Sequence, residues 1–232
     1  MTIEEFRLHL QAKGLSLTAD KLAKLKEYAR LLKEWNEKMN LTSIVEEEEV
    51  IEKHFLDSVL PFLGFDLKGK KILDIGSGAG FPGMVLALLF EEAEVHLLDA
   101  TKKKFLFLEE VQKTLQIPNV HFEIGRVEEM KNLRDSFDFV TARGFALTRI
   151  FLEVAAPLAK RKGTLIAMKS RRGEEEYEEA KPAMKKLGLV LEDVKSYELP
   201  CGEVRNNYRF GKIRPTDPRY PRPWATILKK PL

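Results

Sequence analysis

Cysteine is nearly absent: Cys201 is the single one in 232 residues. An internal disulfide framework and a cysteine-ligated zinc site are therefore excluded. No apolar run approaches the length of a membrane-spanning helix. The opening residues Met1-Thr2-Ile3-Glu4-Glu5 lack the basic and then apolar order of a secretory leader. There is no internal repeat and no low-complexity tract. A cytoplasmic globular protein is the expectation. What is present agrees with it: 44% of the residues are hydrophobic and 32% charged, enough apolar mass for a sizeable core.

Charge is nearly balanced in total, net +3, but unevenly placed. From Cys201 to Leu232 eight lysines and arginines (Arg205, Arg209, Lys212, Arg214, Arg219, Arg222, Lys229 and Lys230) face only Glu203 and Asp217, a local net charge of +6. Lys160, Arg161, Lys162, Lys169, Arg171 and Arg172 form a second basic cluster. Glu46 to Glu49 and Glu174 to Glu179 carry the compensating acid. Such segregation suits a polyanionic partner; solvated faces of alternating sign are the plainer reading of the same runs.

Along the chain, Thr2 and Glu5 have capping-box spacing, and a first helix should stop at Gly14. Thr18 and Asp20 open a longer helix whose Leu22, Leu25, Tyr28, Ala29, Leu32, Trp35 and Met39 recur on one face. Asn40-Leu41-Thr42-Ser43 ends it. A further helix from Glu46 carries His54 and Asp57 three residues apart, close enough to touch. Residues 1–64 read as a helical extension and 65–232 as the main domain.

From Lys71 onward strands and helices alternate, which implies a doubly wound, mostly parallel sheet. The strands are read at Ile72–Ile75, Glu94–Asp99, Val120–Ile124, Phe137–Ala142, Thr164–Met168 and Leu189–Leu199. A short helix is expected around Glu128–Met130. Tyr208–Lys212 and Ala225–Leu228, separated by prolines, read as a hairpin that closes the edge of the sheet.

Sheets of this kind bind ligands beyond the carboxyl ends of their strands. That rule selects Gly76, Gly78 and Gly80 after the first strand, Asp99 at the end of the second, Val127 and Glu128 past the third, and Arg143 past the fourth. An ionised Asp99 offers two acceptor oxygens to a ribose. Gly78 to Gly83 literally matches G-x-G-x-x-G, the fingerprint of a nicotinamide enzyme. Its glycines nevertheless begin at Gly76, one too early, and Asp74 places a carboxylate where a pyrophosphate would need positive potential. A cationic ligand with an amino group suits Asp74 better. S-adenosyl-L-methionine is the cofactor these residues favour, and the motifs call for no metal.

Motifs spread over nearly the whole chain resemble one family, the bacterial 16S ribosomal RNA (guanine-N7) methyltransferases, also called glucose-inhibited division protein B. They are Trp35-Asn36 with Asn40-Leu41-Thr42, His54 to Ser58, Asp74 to Gly83, Gly125 to Glu129, Thr141 to Gly144, Pro157-Leu158 with Gly163, and Lys169. Gly144 and Val127 stand where the family commonly has alanine, and neither change removes a functional group. The resemblance implies a Rossmann-like class I methyltransferase fold with an antiparallel C-terminal edge strand. It assigns cofactor contacts to Gly76, Phe81, Val127, Glu128 and Arg143, with Asp99 and Thr101 as weaker assignments. It also implies the substrate, a guanine in 16S ribosomal RNA, free or in the small ribosomal subunit, and an altered streptomycin sensitivity when the enzyme is lost.

Guanine N7 carries an in-plane lone pair and no proton, so the reaction needs alignment and no general base. Arg143 is the residue expected to position the guanine or the cofactor carboxylate. Asn40, His54, Lys169, Arg171, Arg172 and Arg205 are the candidate RNA contacts, and a monomer is expected. Two further readings share the fold: a methyltransferase for another substrate, and an RNA-binding protein with a degenerate cofactor site.

Overall fold

The computed structural model describes all 232 residues. Helix α1 (Ile3–Ala12) begins at Thr2, whose side chain accepts the Glu5 N–H while Glu5 reaches back to the Thr2 N–H. That reciprocal bonding satisfies two otherwise orphaned donors. Helix α2 (Ala19–Met39) is capped by Thr18 and ends at Asn40 in the left-handed conformation (φ +47°). Helices α3 (Glu47–Glu49) and α4 (Asp57–Val59) flank a seven-residue π-helical stretch, Val50–Leu56, that carries His54. Widened turns of this kind recur at functional sites, because the extra residue re-aims side chains.

Seven strands form one sheet in the order β3-β2-β1-β4-β5-β7-β6. Strands β1 (Lys71–Ile75), β2 (Glu94–Asp99), β3 (Val120–Ile124), β4 (Phe137–Arg143) and β5 (Ala159–Lys169) run parallel. The C-terminal edge is antiparallel, with β7 (Val204–Lys212) inserted between β5 and β6 (Leu189–Glu198). Helices α5 (Gly83–Leu89) and α6 (Lys102–Leu115) follow β1 and β2; α7 (Thr148–Ala155) and α8 (Gly173–Leu187) follow β4 and β5. The order reverses between β1 and β4, so the crevice of a doubly wound sheet lies beyond their carboxyl ends.

Alternation along the strands sends Ile72, Val95 and Leu97 into one apolar cluster and Leu73, Ile75 and Leu98 into a second. The first also contains Leu25, Tyr28, Leu31 and Leu32 of α2 and Phe105 and Phe107 of α6. Each buried leucine contributes roughly 1.5–3 kcal/mol. The helical extension is thus part of the core and forms one wall beside the crevice.

One expectation needs correction. Ala225–Leu228 is no strand but lies in helix α9 (Trp224–Lys229). Both sides of β7 are already paired, with β5 and β6, so the C-terminal chain cannot form a hairpin with it. Prolines 218, 221 and 223 also remove the donors a strand would need. The short helix expected around Glu128 is present as a 3-10 helix, Val127–Glu129, followed by a second one at Lys131–Leu133.

Candidate functional site

Strand β1 hands the chain to a turn in which Gly76, Gly78 and Gly80 have φ of +70°, +57° and +92°, values that side chains resist. Space is short as well. A Cβ on Gly76 would lie 2.9 Å from the Phe145 ring, and one on Gly80 would strike the Tyr28 hydroxyl. That hydroxyl donates to the Ala79 carbonyl at 2.6 Å, so α2 pins the turn from outside the sheet. Inside the turn, Asp74 is fully buried and its Oδ2 accepts the Gly83 N–H at 2.8 Å. Its Oδ1 has no partner, and burial raises the carboxyl pKa to about 7.

Asp99 holds the turn from the second strand. Its Oδ2 accepts from the Gly78 N–H (3.1 Å) and from Lys104 Nζ (2.9 Å), and its Oδ1 from the Thr101 N–H (2.8 Å). Burial opposes ionisation, but the Thr101 N–H and Lys104 prevail and the pKa stays below the usual carboxylate value. One acceptor position on Oδ1 remains for a ligand hydroxyl. The sequence predicted a carboxylate free to take two.

Beside this turn lies a cavity of about 420 Å³, lined by Gly76, Asp99 and Lys104, by Val127 and Glu128, and by Phe145 and Trp224 among others. A second cavity of about 600 Å³ adjoins it, sharing Gly144 and Phe145 with the first. Four cations line it (Lys53, Arg143, Lys169 and Arg205) together with His54 and the acids Asp57, Glu176 and Glu203. Asp57 Oδ2 receives Arg143 at 3.2 Å and Arg205 at 3.1 Å, so one buried carboxylate ties β4 to β7. Arg143 also donates to the Lys53 carbonyl (2.9 Å) and to His54 Nδ1 (3.0 Å). His54 stacks on Phe81, with ring centroids 4.4 Å apart and planes 13° apart.

The predicted residues therefore divide. Gly76, Asp99, Val127 and Glu128 meet in the first cavity. Asp74, Gly78, Gly80, Phe81 and Thr101 are not among its lining residues: they shape the turn or anchor Asp99. Arg143, assigned to the cofactor, lines the second cavity with His54, Lys169 and Arg205. Asn40, Arg171 and Arg172 are exposed and line neither.

A family model described as rRNA small subunit methyltransferase G matches residues 21–204. Curated relatives carrying the same description match end to end. The one from Streptococcus equi subsp. zooepidemicus is 40% identical, covering all of both chains. That from Bacillus subtilis is 39% identical, covering all of this chain and 99% of its own. The chain belongs to the rRNA small subunit methyltransferase G family. Among solved structures, M. jannaschii TYW2 in complex with AdoMet superposes with a TM-score of 0.56 at 19% identity, covering 68% of this chain and 75% of that one. A SAM-dependent methyltransferase from Aquifex aeolicus gives 0.53 at 21% identity, covering 70% and 92%. These likenesses concern the fold.

S-adenosylmethionine is the methyl donor of the methyltransferase G family, and the first cavity suits it. Asp99 and Glu128 offer acceptors, while Phe145, Trp224 and Leu98 offer apolar surface to a purine. Of the cations there, Lys104 is bound to Asp99 at 2.9 Å, and Arg126 lies 3.7 Å from Glu128.

The basic segments serve this methyltransferase differently from the charge map. Arg209 bonds the Pro61 carbonyl, buried Lys212 holds Asp135 and the Ala159 carbonyl, and Arg222 clamps buried Glu153 at 2.6 and 2.7 Å. Much of the C-terminal charge is thus consumed internally. Sequence reasoning also missed Lys104, Phe145 and Trp224. Phe145 and Trp224 are 79 positions apart and meet only through α9 at 6.0 Å between ring centroids, so no spacing pattern marks them.

Proposed function

We propose that this chain transfers a methyl group from S-adenosyl-L-methionine to N7 of a guanine in 16S ribosomal RNA. The observation that carries the reading is the pair of cavities sharing Gly144 and Phe145 at the crevice, one suited to a nucleoside and the other ringed by paired cations. The cofactor, when bound, supplies a methyl group activated by its sulfonium.

This chain's own residues provide positioning. Asp99 and Glu128 accept hydroxyl and amino protons, and Tyr28 keeps the Gly76–Gly83 turn in place through Ala79. Arg143, held by Asp57, His54 and the Lys53 carbonyl, keeps two of its five N–H groups for a substrate oxygen. Neither His54 nor Asp57 in the second cavity stands ready as a base. His54 Nδ1 is occupied by Arg143, its Nε2 lies 3.0 Å from Thr42 Oγ1, and Asp57 is shared by two arginines. N7 carries no proton to remove, so it needs none. Lys169, which lines the second cavity, and the exposed Arg171 and Arg172 that follow it in sequence serve the RNA backbone in this reading. The helical residues 1–64 serve as the cavity's outer wall, in a cytoplasmic enzyme.

The deciding experiment follows labelled methyl from S-adenosylmethionine into naked 16S RNA and into assembled small subunits, with mapping of the modified base. Labelled N7-methylguanine supports the reading, and the better of the two substrates identifies the natural one. Label on another atom, or none from either substrate, refutes it.

A further inference from the structure

Midway along β2 and near the start of β3, two histidines sit side by side. His96 of β2 and His121 of β3 are direct cross-strand partners, and their rings stack at 4.7 Å. Glu94, on the same face two residues before His96, places Oε1 3.0 Å from His96 Nε2 and 3.8 Å from His121 Nε2. On the other side of the His96 ring, Glu123 Oε1 lies 2.9 Å from Nδ1. Lys71 Nζ also touches Glu94 Oε1, at 2.8 Å.

The three ligand atoms converge. Glu123 can only accept, so His96 Nδ1 bears the proton. A metal-bound histidine is neutral, and with Nδ1 protonated its ligand atom is Nε2, the nitrogen that faces Glu94. The Glu94 oxygen, 3.0 Å from His96 Nε2, is shared with Lys71 Nζ at 2.8 Å, so a cation already stands beside this pair. Tetrahedral zinc, with bonds of about 2.0–2.1 Å, sets its ligand atoms about 3.3 Å apart. The distances of 3.0 and 3.8 Å bracket that value, and all three ligand atoms lie within 4.8 Å of one another.

We propose that Glu94, His96 and His121 form a binding site for a zinc-class divalent cation. Glu123 serves as the carboxylate that orients the His96 ring, the usual companion of a metal-bound histidine. His121 is half exposed, so a fourth position stays open to water. Glu94 and Asp99 stand at opposite ends of β2, roughly 16 Å apart at strand rise, so the site takes no part in methyl transfer. It clamps β3, the edge strand of the parallel half, to β2. The three ligands come from two strands and show no motif spacing, which is why the sequence called for no metal. Lys71 is the internal competitor, because a metal ion must take the oxygen its ammonium now holds.

The test is titration of the full chain, first treated with a chelator, with Co²⁺ as the spectroscopic probe and Zn²⁺ as the displacing ion. One Co²⁺ per chain with tetrahedral absorption, released by Zn²⁺, is expected. His121→Ala changes a half-exposed side chain and should abolish the absorption without unfolding the protein. Glu123→Gln should weaken binding about 10–100-fold, and Lys71→Met should tighten it. Failure of the wild-type protein to give the absorption overturns the proposal, as does an undiminished spectrum in His121→Ala. Unchanged or weaker affinity in Lys71→Met overturns the assignment of Glu94 Oε1 as the ligand atom.

Discussion

Arg143 fixes the state of His54: its terminal nitrogen lies 3.0 Å from His54 Nδ1. A guanidinium only donates, so Nδ1 accepts, and the ring proton resides on Nε2, 3.0 Å from Thr42 Oγ1. Burial, followed by the charge of Arg143, depresses the His54 pKa to about 3. The unfolded chain takes up this proton near its ordinary value while the folded chain does not. Between about pH 6.5 and 3 the group therefore makes stability fall with falling pH, by up to about 1.4 kcal/mol per unit. Urea unfolding of the wild type and His54→Gln from pH 7 to 5 checks this. The variant should be the less acid-sensitive of the two, and parallel curves would refute it.

Asp74 works in the opposite sense. Burial lifts its folded pKa to about 7, so above pH 7 the folded state bears the full cost of a buried charge. That cost shrinks as pH falls and disappears below about pH 4. Across the window it shares with His54, the two groups oppose each other. Asp74→Asn removes the charge while keeping an oxygen for the Gly83 N–H. Its stability relative to wild type should rise with pH between about 4 and 7. A difference that stays constant across this range would count against a buried, titrating Asp74.

Tyr28 couples the helical extension to the cofactor turn through a single hydroxyl. Tyr28→Phe keeps the ring packed on Phe55 and Phe81 at 5.5 and 5.4 Å but leaves the Ala79 carbonyl unsatisfied. A loss of about 1–3 kcal/mol is expected, together with weaker S-adenosylmethionine binding by calorimetry. Full cofactor affinity at reduced stability would separate the hydroxyl from the site.

Two glycines with positive φ should respond differently. At Gly80 a Cβ would meet Tyr28, Leu108 and Met84; at Gly144 it would meet nothing within 4 Å. Gly144→Ala therefore costs only the left-handed conformation, about 1–2 kcal/mol, and should leave a folded protein that binds cofactor. Gly80→Ala adds a collision with the buried wall and should lose cofactor binding or folding altogether. Equal thermal midpoints for the two variants would contradict this.

The sheet was legible because its signals are local: apolar runs, glycine turns and capping residues each act within a few positions. The capping box at Thr2 and the strands at Ile72 and Val95 are where their neighbours put them. The C-terminal hairpin was misread because pairing is decided by which strand sides are free. β6 had already occupied the one that Ala225–Leu228 would have needed. Arg143 stands at the carboxyl end of β4, where the sheet rule put it, yet its direction depends on Asp57 and His54, 86 and 89 residues away. Charge was the least transferable signal. Lys212 and Arg222 read as surface cations, whereas their partners Asp135 and Glu153 come from remote elements.

The second basic cluster gives the sharpest test of the RNA-facing surface. In sequence Lys160 to Arg172 is one run, but β5 stretches it across the molecule. Lys160 and Lys169 are nine residues apart on one strand, roughly 30 Å. Lys169 and Ser170 line the second cavity, and exposed Arg171 and Arg172 follow them; Arg161 and Lys162 project from the opposite end. If RNA enters over the second cavity, only the first pair meets phosphates. Each lost contact lowers the slope of log affinity against log salt by about 0.7–0.9. Replacing Arg171 and Arg172 with glutamine should therefore flatten the slope by about 1.5, and the same change at Arg161 and Lys162 should leave it unaltered. Equal flattening by both pairs would mean that the RNA also contacts the amino-terminal end of β5, and the crevice would no longer define its path.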